Sequence, residues 1–533
     1  MKKNILLIVF ILTIFGGFLR FYNLENNPPS LSIDEVAYGY SAYSILKTAR
    51  DETGEFMPLT FRSTGDYKNP VFVYSLVPTI ALFGLNEFGV RFNAALVGTL
   101  SIPLFFLFVK RLTQDTRIAL IGTIFLTLSS WHIYYSRVAT DHLLGTLLVM
   151  LGIFFYLKNN NLSTIISAVI LAVSMYTYHS QRIFVPLFIF ALLLITKRFK
   201  LPSTKLFLAI FFILALPLIL LSIFGPASTR VKMVFLTQDI DYTRYVILDH
   251  FEKFGEIFLL FFFWIKRYLN YFQPEFLFFN GLNMTNIGTL GLGILHLFEL
   301  PFLVLGTFEL IKRKFNYKLI LFLWILIGLI PASITNNEQS SGRSLLILPA
   351  VIIVLSIGAI RAWEIIRKFS NKYFIPLVSI YSLSVIIFLI HSFMVFHVYL
   401  PTQRGEAFME GTKQTVLYAL ANKDQYSEIV FDPYRGIEAP YIVNVPHMYI
   451  LFYAKYDPLT YQNEIKKHGD DLFSFDKFTI RKINWRVDRA KKGTLFVGSP
   501  WSLPLQDIKE GEILQKVYLL NGDLALLTVS PRD

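Results

Sequence analysis

Long runs of apolar residues recur along the chain from Ile5 to Tyr399. Each is roughly 15–25 residues long, close to the length that a helix needs to cross a hydrocarbon core about 30 Å thick. Hydrophobic residues make up 54% and charged residues 16% of the 533 residues, whereas a soluble domain carries about 25% charged residues. A water-soluble fold could not bury so much apolar surface. We therefore predict a polytopic membrane protein and exclude a soluble enzyme and a disordered chain.

Cysteine is absent and the formal net charge is +13. The absence of cysteine excludes disulfides, thiolate catalysis and metal sites built on cysteine. The positive net charge would suit a nucleic-acid binder, but basic residues of membrane proteins collect in cytoplasmic loops. We therefore expect membrane lipid, and not nucleic acid, as the partner of this positive charge.

The predicted topology depends on the short apolar stretch Pro70–Leu85. If this stretch stays at the interface or is re-entrant, eighteen basic residues face the cytoplasm, against Arg137, Arg182 and Arg343 in the short outer loops. This bias predicts about eleven crossings, with the N-terminus in the cytoplasm and the C-terminus outside the cell membrane. The eighteen residues are Lys2, Lys3, Lys110, Arg111, Arg117, Lys158, Lys197, Arg198, Lys200, Lys205, Lys312, Arg313, Lys314, Lys318, Arg361, Arg367, Lys368 and Lys372.

The tail beyond Leu400 differs in composition from the rest of the chain, because it is rich in charges and has no spanning run. Short β-rich runs alternate there with helix-like stretches, which is typical of a small α/β domain. We predict an all-α transmembrane module in residues 1–400 and an extracytoplasmic α/β domain in residues 401–533. The module has a first outer loop at 23–91 and a long outer loop at 225–288.

Two adjacent carboxylates, Asp34 and Glu35, follow the first span. Carboxylates at a membrane–water boundary suit general-base catalysis or metal binding. The sequence Ser32-Ile33-Asp34-Glu35 also fits a capping box, with Ser32 as N-cap and Glu35 as the third helical residue. Such a box does not use Asp34. A divalent metal is compatible with this pair, and no cofactor is required by the sequence.

The predicted topology brings further ionisable residues to the outer ends of spans. Such groups on a single face indicate a functional site, although each could also serve as an interfacial anchor or form a simple ion pair. Arginine binds phosphate bidentately, so the set suits a donor whose leaving group is a phosphate. The candidate substrate-binding residues are Lys68, Arg137, Asp141, His179, Arg182 and Arg343.

Several short motifs, in this order, resemble those of bacterial protein-mannosyltransferase-like enzymes of family 39 type. These enzymes are multi-pass glycosyltransferases of the GT-C fold that use a lipid-phosphate donor. The motifs are Arg20-Phe21-Tyr22-Asn23-Leu24, Pro28-Pro29-Ser30, Asp34-Glu35, Lys68-Asn69-Pro70, Glu87-Phe88-Gly89-Val90-Arg91-Phe92, Trp131-His132-Ile133-Tyr134-Tyr135-Ser136-Arg137, Tyr176-Thr177-Tyr178-His179-Ser180 and Gly342-Arg343-Ser344-Leu345-Leu346.

The resemblance implies roles for individual residues. Asp34 would be the catalytic base with Glu35 as its partner, and Asp141 would help to position substrate or a metal. The residues facing the lipid phosphate would be Lys68, Arg182 and Arg343.

The predicted function is an inverting glycosyltransferase that moves a sugar from a polyprenyl-phosphate donor to an acceptor hydroxyl at the outer face of the membrane. The acceptor is a protein, a lipid or a glycan. One alternative is an oligosaccharide polymerase or ligase with a lipid-diphosphate donor. Another is a transporter or flippase of lipid-linked sugars, which should carry charges or broken helices near the midplane. The ionisable residues at span ends favour the enzyme.

Overall fold

Helices account for most of the described chain. The computed structural model describes residues 2–63, 66–158, 160–197, 201–225, 235–249, 253–283, 291–312, 316–336, 339–369, 371–468 and 474–532. Parts of the long outer loop 225–288 lie outside the described residues. So do four residues of the cytoplasmic tally, namely Arg198, Lys200, Arg313 and Lys314.

Six helices of the described chain are long and apolar enough to cross a membrane by length and composition: Lys3–Phe21, Glu87–Thr113, His179–Thr196, Pro202–Phe224, Ser341–Ile366 and Tyr373–Arg404. Five shorter apolar helices accompany them, at Pro70–Phe83, Thr116–Leu128, Asp141–Tyr156, Asn161–Ser174 and Lys318–Ser333. The prediction of a helical, multi-span membrane protein is confirmed. The number of crossings stays a prediction.

The chain forms two units. The first contains Met1–Tyr22 and Ala94–Val395. Its helices are Lys2–Phe21, most of Glu87–Thr113, Thr116–Leu128, Ser130–Tyr135, Asp141–Tyr156, Asn161–Ser174, His179–Thr196, Pro202–Phe224, Ile240–Asp249, Lys253–Asn270, Leu300–Lys312, Lys318–Ser333, Ser341–Ser344, Leu348–Ile366 and Asn371–Met394.

Two glycines allow helices Leu300–Lys312 and Leu348–Ile366 to pack backbone against backbone. A Cβ atom on Gly306 would lie 2.0 Å from the Val354 carbonyl oxygen, and one on Gly358 would lie 1.8 Å from that of Phe302. No side chain fits in either place. Small residues at such crossings are typical of helices that associate in a membrane, where apolar burial alone does not drive packing.

The second unit contains Asn23–Asn93 and Phe396–Asp533. The first outer loop, which the sequence assigned to the transmembrane module, therefore forms a unit with the tail. Hydrogen bonds join the two segments: the Tyr449 hydroxyl donates to the Leu31 carbonyl over 2.7 Å, and the Lys413 ammonium pairs with Glu87 at 2.6 Å. The helices of this unit are Ile33–Thr48, Pro70–Phe83, Leu400–Arg404, Thr412–Ala421, Pro446–Tyr453, Pro458–His468 and Trp485–Asp488.

A six-stranded mixed sheet forms the core of the tail. Its strands lie in the order Ser474–Phe475, Phe478–Ile480, Glu428–Phe431, Thr494–Gly498, Leu524–Val529 and Ile513–Tyr518. Strand Glu428–Phe431 runs parallel to both of its neighbours, and the other pairs are antiparallel. This agrees with the predicted small C-terminal domain of strands and helices. The strands of the chain are β1 Phe61–Ser63, β2 Asp66–Lys68, β3 Glu428–Phe431, β4 Tyr434–Arg435, β5 Ile442–Val443, β6 Ser474–Phe475, β7 Phe478–Ile480, β8 Thr494–Gly498, β9 Ile513–Tyr518 and β10 Leu524–Val529.

One fully buried arginine connects the start of the first outer loop to two helices. Nε of Arg91 lies 2.9 Å from Oε1 of Glu35, and both side chains are 0% exposed. The Arg91 guanidinium also donates to the carbonyls of Leu24 at 3.2 Å, Pro28 at 2.8 Å and Ser30 at 2.5 Å. Arg91 thus satisfies carbonyl groups that the irregular backbone of residues 24–30 leaves without partners.

We expect Arg91→Met to destabilise the protein by about 3–5 kcal/mol, because it leaves the Glu35 carboxylate buried without its cation. Arg117→Met is the matched control, since the Arg117 side chain is 72% exposed in its pair with Asp115 and exposed pairs contribute little. Thermal unfolding of the purified proteins in detergent measures both. Equal midpoints for Arg91→Met and the wild type would contradict this role for the buried pair.

Candidate functional site

Asp34 lies in the first turn of helix Ile33–Thr48 and forms an ion pair with Lys68, the last residue of β2. The Lys68 side chain is 7% exposed and that of Asp34 is 56% exposed. The Lys68 ammonium also lies 5.7 Å from the centroid of the Tyr38 ring. The pair therefore places a carboxylate at the surface, within reach of a substrate, and its counter-ion in the interior. A carboxylate in this position can accept a proton from a hydroxyl group.

The adjacent Glu35 points into the interior and is fully buried. Its Oε2 accepts a hydrogen bond from the Ser32 backbone NH over 2.9 Å, and the Ser32 hydroxyl accepts one from the Glu35 NH over 3.3 Å. The capping box that the sequence offered as an alternative is therefore present. Together with the Arg91 pair, it gives Glu35 a structural task. A catalytic role for Glu35 stays a prediction.

Arg182, Arg343 and His179 line one cavity of about 370 Å³ in the first unit. Nη1 of Arg182 donates to the Ser222 hydroxyl over 3.2 Å, and Nη1 of Arg343 donates to the Thr335 hydroxyl over 2.6 Å. The remaining wall is mostly apolar and contains Met175, Ile183, Leu218, Ile219, Ile223, Phe235, Pro331 and Ile334. Two guanidinium groups in an apolar cavity suit a ligand with a phosphate group and a hydrocarbon chain.

Asp141 begins helix Asp141–Tyr156 and is 3% exposed. One of its oxygens lies 3.3 Å from Nδ1 of His142, and it also interacts electrostatically with Arg182. The backbone of Gly342, next to Arg343, packs closely against His142. A Cβ atom added at Gly342 would lie only 2.7 Å from Nε2 of His142. The first unit thus groups the predicted residues Asp141, His179, Arg182 and Arg343, while Asp34 and Lys68 pair in the second unit.

Arg137 makes contacts that the sequence did not predict. It is 3% exposed, and its Nη1 donates to the carbonyls of Leu19 at 3.1 Å, Arg20 at 3.2 Å and Tyr22 at 2.8 Å. The last carbonyls of a helix have no partner within the helix, so Arg137 completes the end of Lys2–Phe21. A substrate-binding role for Arg137 stays a prediction.

Sequence reasoning missed the residues that hold the candidate side chains in place. Ser222 and Thr335 orient the two cavity arginines, yet neither belongs to a charged motif. The Ser340 hydroxyl accepts a hydrogen bond from the Arg343 NH over 3.3 Å, and the Tyr135 hydroxyl lies 2.9 Å from that of Ser341. The sequence signal for these supporting residues is a small hydroxyl residue at the end of a span. Such residues are common in helices of any function, so the signal is not specific.

Within the described part of the chain, no three His, Asp or Glu side chains are grouped so as to hold a metal ion. The Asp34–Glu35 pair is separated into an exposed and a buried carboxylate, each with a cationic partner. The described residues thus provide no preformed group of metal ligands, and a divalent metal at this pair stays a prediction.

Comparison with known proteins identifies a related family. Residues 67–221 match the family model of dolichyl-phosphate-mannose-protein mannosyltransferases. The predicted relationship to protein mannosyltransferases is therefore confirmed, and so is the predicted enzyme class, a glycosyltransferase. An uncharacterized protein of Aquifex aeolicus (strain VF5) is 29% identical over 157 residues, and this match spans 29% of each chain.

A solved structure has a similar fold over nearly the whole chain. ArnT from Cupriavidus metallidurans, in the apo state and bound to undecaprenyl phosphate, matches with a TM-score of 0.56 at 13% identity, over 99% of this chain and 98% of ArnT. The archaeal oligosaccharyltransferase AglB from Archaeoglobus fulgidus, in complex with an inhibitory peptide and a dolichol-phosphate, has a TM-score of 0.49 at 14% identity. That match covers 85% of this chain and 64% of AglB. The ArnT match confirms the predicted fold type.

Proposed function

We propose that this protein is an inverting glycosyltransferase that uses a polyprenyl-phosphate-linked sugar at the outer face of the cell membrane. The observation that carries the proposal is the cavity in which Arg182 and Arg343 converge among apolar side chains. The phosphate of such a donor matches the guanidinium groups, and its hydrocarbon chain matches the apolar wall. The structural similarity to ArnT, which has been solved with undecaprenyl phosphate bound, supports this choice of ligand.

In the proposed reaction, Asp34 takes the proton of an acceptor hydroxyl. The oxygen forms a bond to the anomeric carbon of the sugar while the bond from that carbon to the donor phosphate breaks. The bonding electron pair leaves on the phosphate oxygen, where the charges of Arg182 and Arg343 stabilise it. Stabilisation of developing charge of this kind is often the largest catalytic contribution. A single displacement inverts the configuration of the anomeric carbon.

The transporter or flippase alternative is disfavoured by where the ionisable residues lie. Asp141 and His179 are the first residues of their helices, Arg182 lies in a first turn, and Arg343 belongs to the short helix Ser341–Ser344. Transporters place such groups near the middle of broken helices. A polymerase or ligase with a diphosphate donor would fit the same arginines. The chemical identity of the lipid product therefore has to distinguish such an enzyme from the proposed glycosyltransferase. The acceptor is a protein, a lipid or a glycan.

The proposed topology has about eleven crossings, a cytoplasmic N-terminus and an extracytoplasmic domain in residues 401–533. This topology requires helix Pro70–Phe83, which contains Pro78, to lie at the interface. This helix also belongs to the same unit as the tail, which fits a place at the membrane surface.

Cysteine labelling tests this topology directly, because the chain has no cysteine. Gly511 lies in the tail, and a Cβ added there would meet no atom within 4 Å. We expect a membrane-impermeant maleimide to label Gly511→Cys in intact cells. The exposed Arg117→Cys, on the predicted cytoplasmic side, should react only after permeabilisation. The reverse pattern would contradict the orientation.

Asp34→Asn should abolish transfer while the protein keeps its fold and its donor binding. An amide cannot accept the proton at neutral pH, and loss of a general base typically costs 10²–10⁴-fold in rate. Transfer of radiolabelled sugar from a polyprenyl-phosphate donor in proteoliposomes measures the rate. Asp241→Asn is the matched control, since Asp241 is an exposed aspartate in the first turn of another helix. If the Asp34→Asn variant stays active, while the Glu35→Gln variant folds but is inactive, Asp34 is not the catalytic base.

Arg182→Gln and Arg343→Gln should each weaken binding of polyprenyl phosphate by about 10- to 150-fold, because a hydrogen bond to a charged group contributes about 1.5–3 kcal/mol. Equilibrium binding of a fluorescent short-chain polyprenyl phosphate to purified protein measures the effect. Arg244→Gln is the control, since Arg244 is exposed and does not line the cavity. Unchanged affinity in both cavity variants would make these arginines interfacial anchors.

A further inference from the structure

A buried ion pair in the first unit has no part in the proposed reaction. Asp239 follows the short helical turn Leu236–Gln238, and its carboxylate pairs with Nη2 of Arg267 in helix Lys253–Asn270. The side chains of Asp239 and Arg267 are 10% and 6% exposed. Neither is among the described residues that line the cavity of Arg182 and Arg343. Burying two charges is costly, so the pair needs an explanation.

Both members of the pair also hold backbone groups. Oδ1 of Asp239 accepts a hydrogen bond from the Tyr242 NH over 2.9 Å and so caps helix Ile240–Asp249. Nη1 of Arg267 donates to the carbonyl of Thr335 over 3.3 Å. The pair therefore ties the start of one helix to the chain just after helix Lys318–Ser333.

Thr335 receives these contacts with its backbone and passes them to the cavity with its side chain. Phe235 and Thr335 form an antiparallel bridge, and the Leu236 NH donates to the Ile334 carbonyl over 2.9 Å. The Thr335 hydroxyl accepts a hydrogen bond from Nη1 of Arg343 over 2.6 Å. All of these residues except Leu236 line the cavity. The backbone that Arg267 holds is thus the backbone that carries the hydroxyl partner of Arg343.

We propose that the buried Asp239–Arg267 pair is a positioning element of the donor site, which sets the direction of the Arg343 guanidinium through Thr335. The inference rests on the proposed function. Asp239 keeps Arg267 in place, Arg267 holds the Thr335 carbonyl, and the Thr335 hydroxyl orients Arg343. A guanidinium group that is already oriented loses less rotamer freedom when it binds a phosphate, so the pair raises donor affinity without touching the donor.

Asp239→Asn tests the pair, because asparagine caps a helix as well as aspartate does but carries no charge. We expect this variant to bind a fluorescent short-chain polyprenyl phosphate roughly 3- to 10-fold more weakly than the wild type, as measured by equilibrium binding to purified protein. Asp241→Asn is the matched control, since Asp241 is exposed in the first turn of the same helix. Its affinity should equal that of the wild type.

A double-mutant cycle separates positioning from a general loss of structure. Because the pair acts through Arg343, Asp239→Asn should weaken binding by less than about twofold when it is added to Arg343→Gln. Losses that add in full would overturn the inference, since Asp239 and Arg267 would then act on the fold or on the phosphate independently of Arg343. If Asp239→Asn does not fold, Asp239→Asn/Arg267→Gln takes its place, because it leaves no buried charge without a partner.

Thr335→Val tests the link between the pair and Arg343, and it decides if neither pair variant folds. It removes the hydroxyl but keeps the shape of the side chain, and we expect roughly 3- to 10-fold weaker binding. Thr335→Ser, which restores a hydroxyl, should recover most of this loss. Full affinity of a folded Thr335→Val would overturn the inference.

The same binding experiment distinguishes the two proposals. Absence of binding by the wild type would count against the proposed function and remove the inference with it. Normal binding by the wild type together with unaltered affinity of the folded Asp239 and Thr335 variants would count against the inference alone.

Discussion

The buried ion pair between Arg91 and Glu35 is the interaction on which the position of Asp34 depends. Burying two charges costs several kcal/mol for each ion, and this cost is offset only when every donor and acceptor is satisfied. Arg91 meets that condition through Glu35 and the carbonyls of Leu24, Pro28 and Ser30. The same carboxylate completes the capping box that starts helix Ile33–Thr48. The start of this helix is thereby fixed, and Asp34 is left exposed in its first turn.

The cavity arginines of the first unit are held differently. Arg182 and Arg343 donate to the hydroxyl groups of Ser222 and Thr335, and Arg182 also interacts electrostatically with Asp141. Both guanidinium groups line the same, mostly apolar cavity. Guanidinium groups bind phosphate bidentately, and this is the physical basis for assigning the cavity to the donor lipid.

Local patterns in the sequence predicted several features correctly. The apolar runs predicted the membrane helices, and Ser32-Ile33-Asp34-Glu35 predicted the capping box. The β-rich runs of the tail predicted strands, and the structure has strands there, for example Glu428–Phe431 and Thr494–Gly498. Features that depend on contacts between residues far apart in the sequence could not be predicted. Arg91 looked like part of a motif, and the grouping of residues 23–93 with the tail rests on bonds such as Tyr449 to Leu31. No local periodicity reports contacts between residues so far apart in sequence.

The lipid released during turnover tests the central claim most directly. Purified protein in proteoliposomes is given a polyprenyl-phosphate-linked sugar and a hydroxyl acceptor, and the lipids are identified by mass spectrometry. We expect polyprenyl monophosphate to accumulate in equal amount to the sugar transferred, because the bond between the anomeric carbon and the phosphate oxygen is the one that breaks. Consumption of only diphosphate-linked donors, or movement of intact donor across the bilayer without any cleavage, would contradict the account.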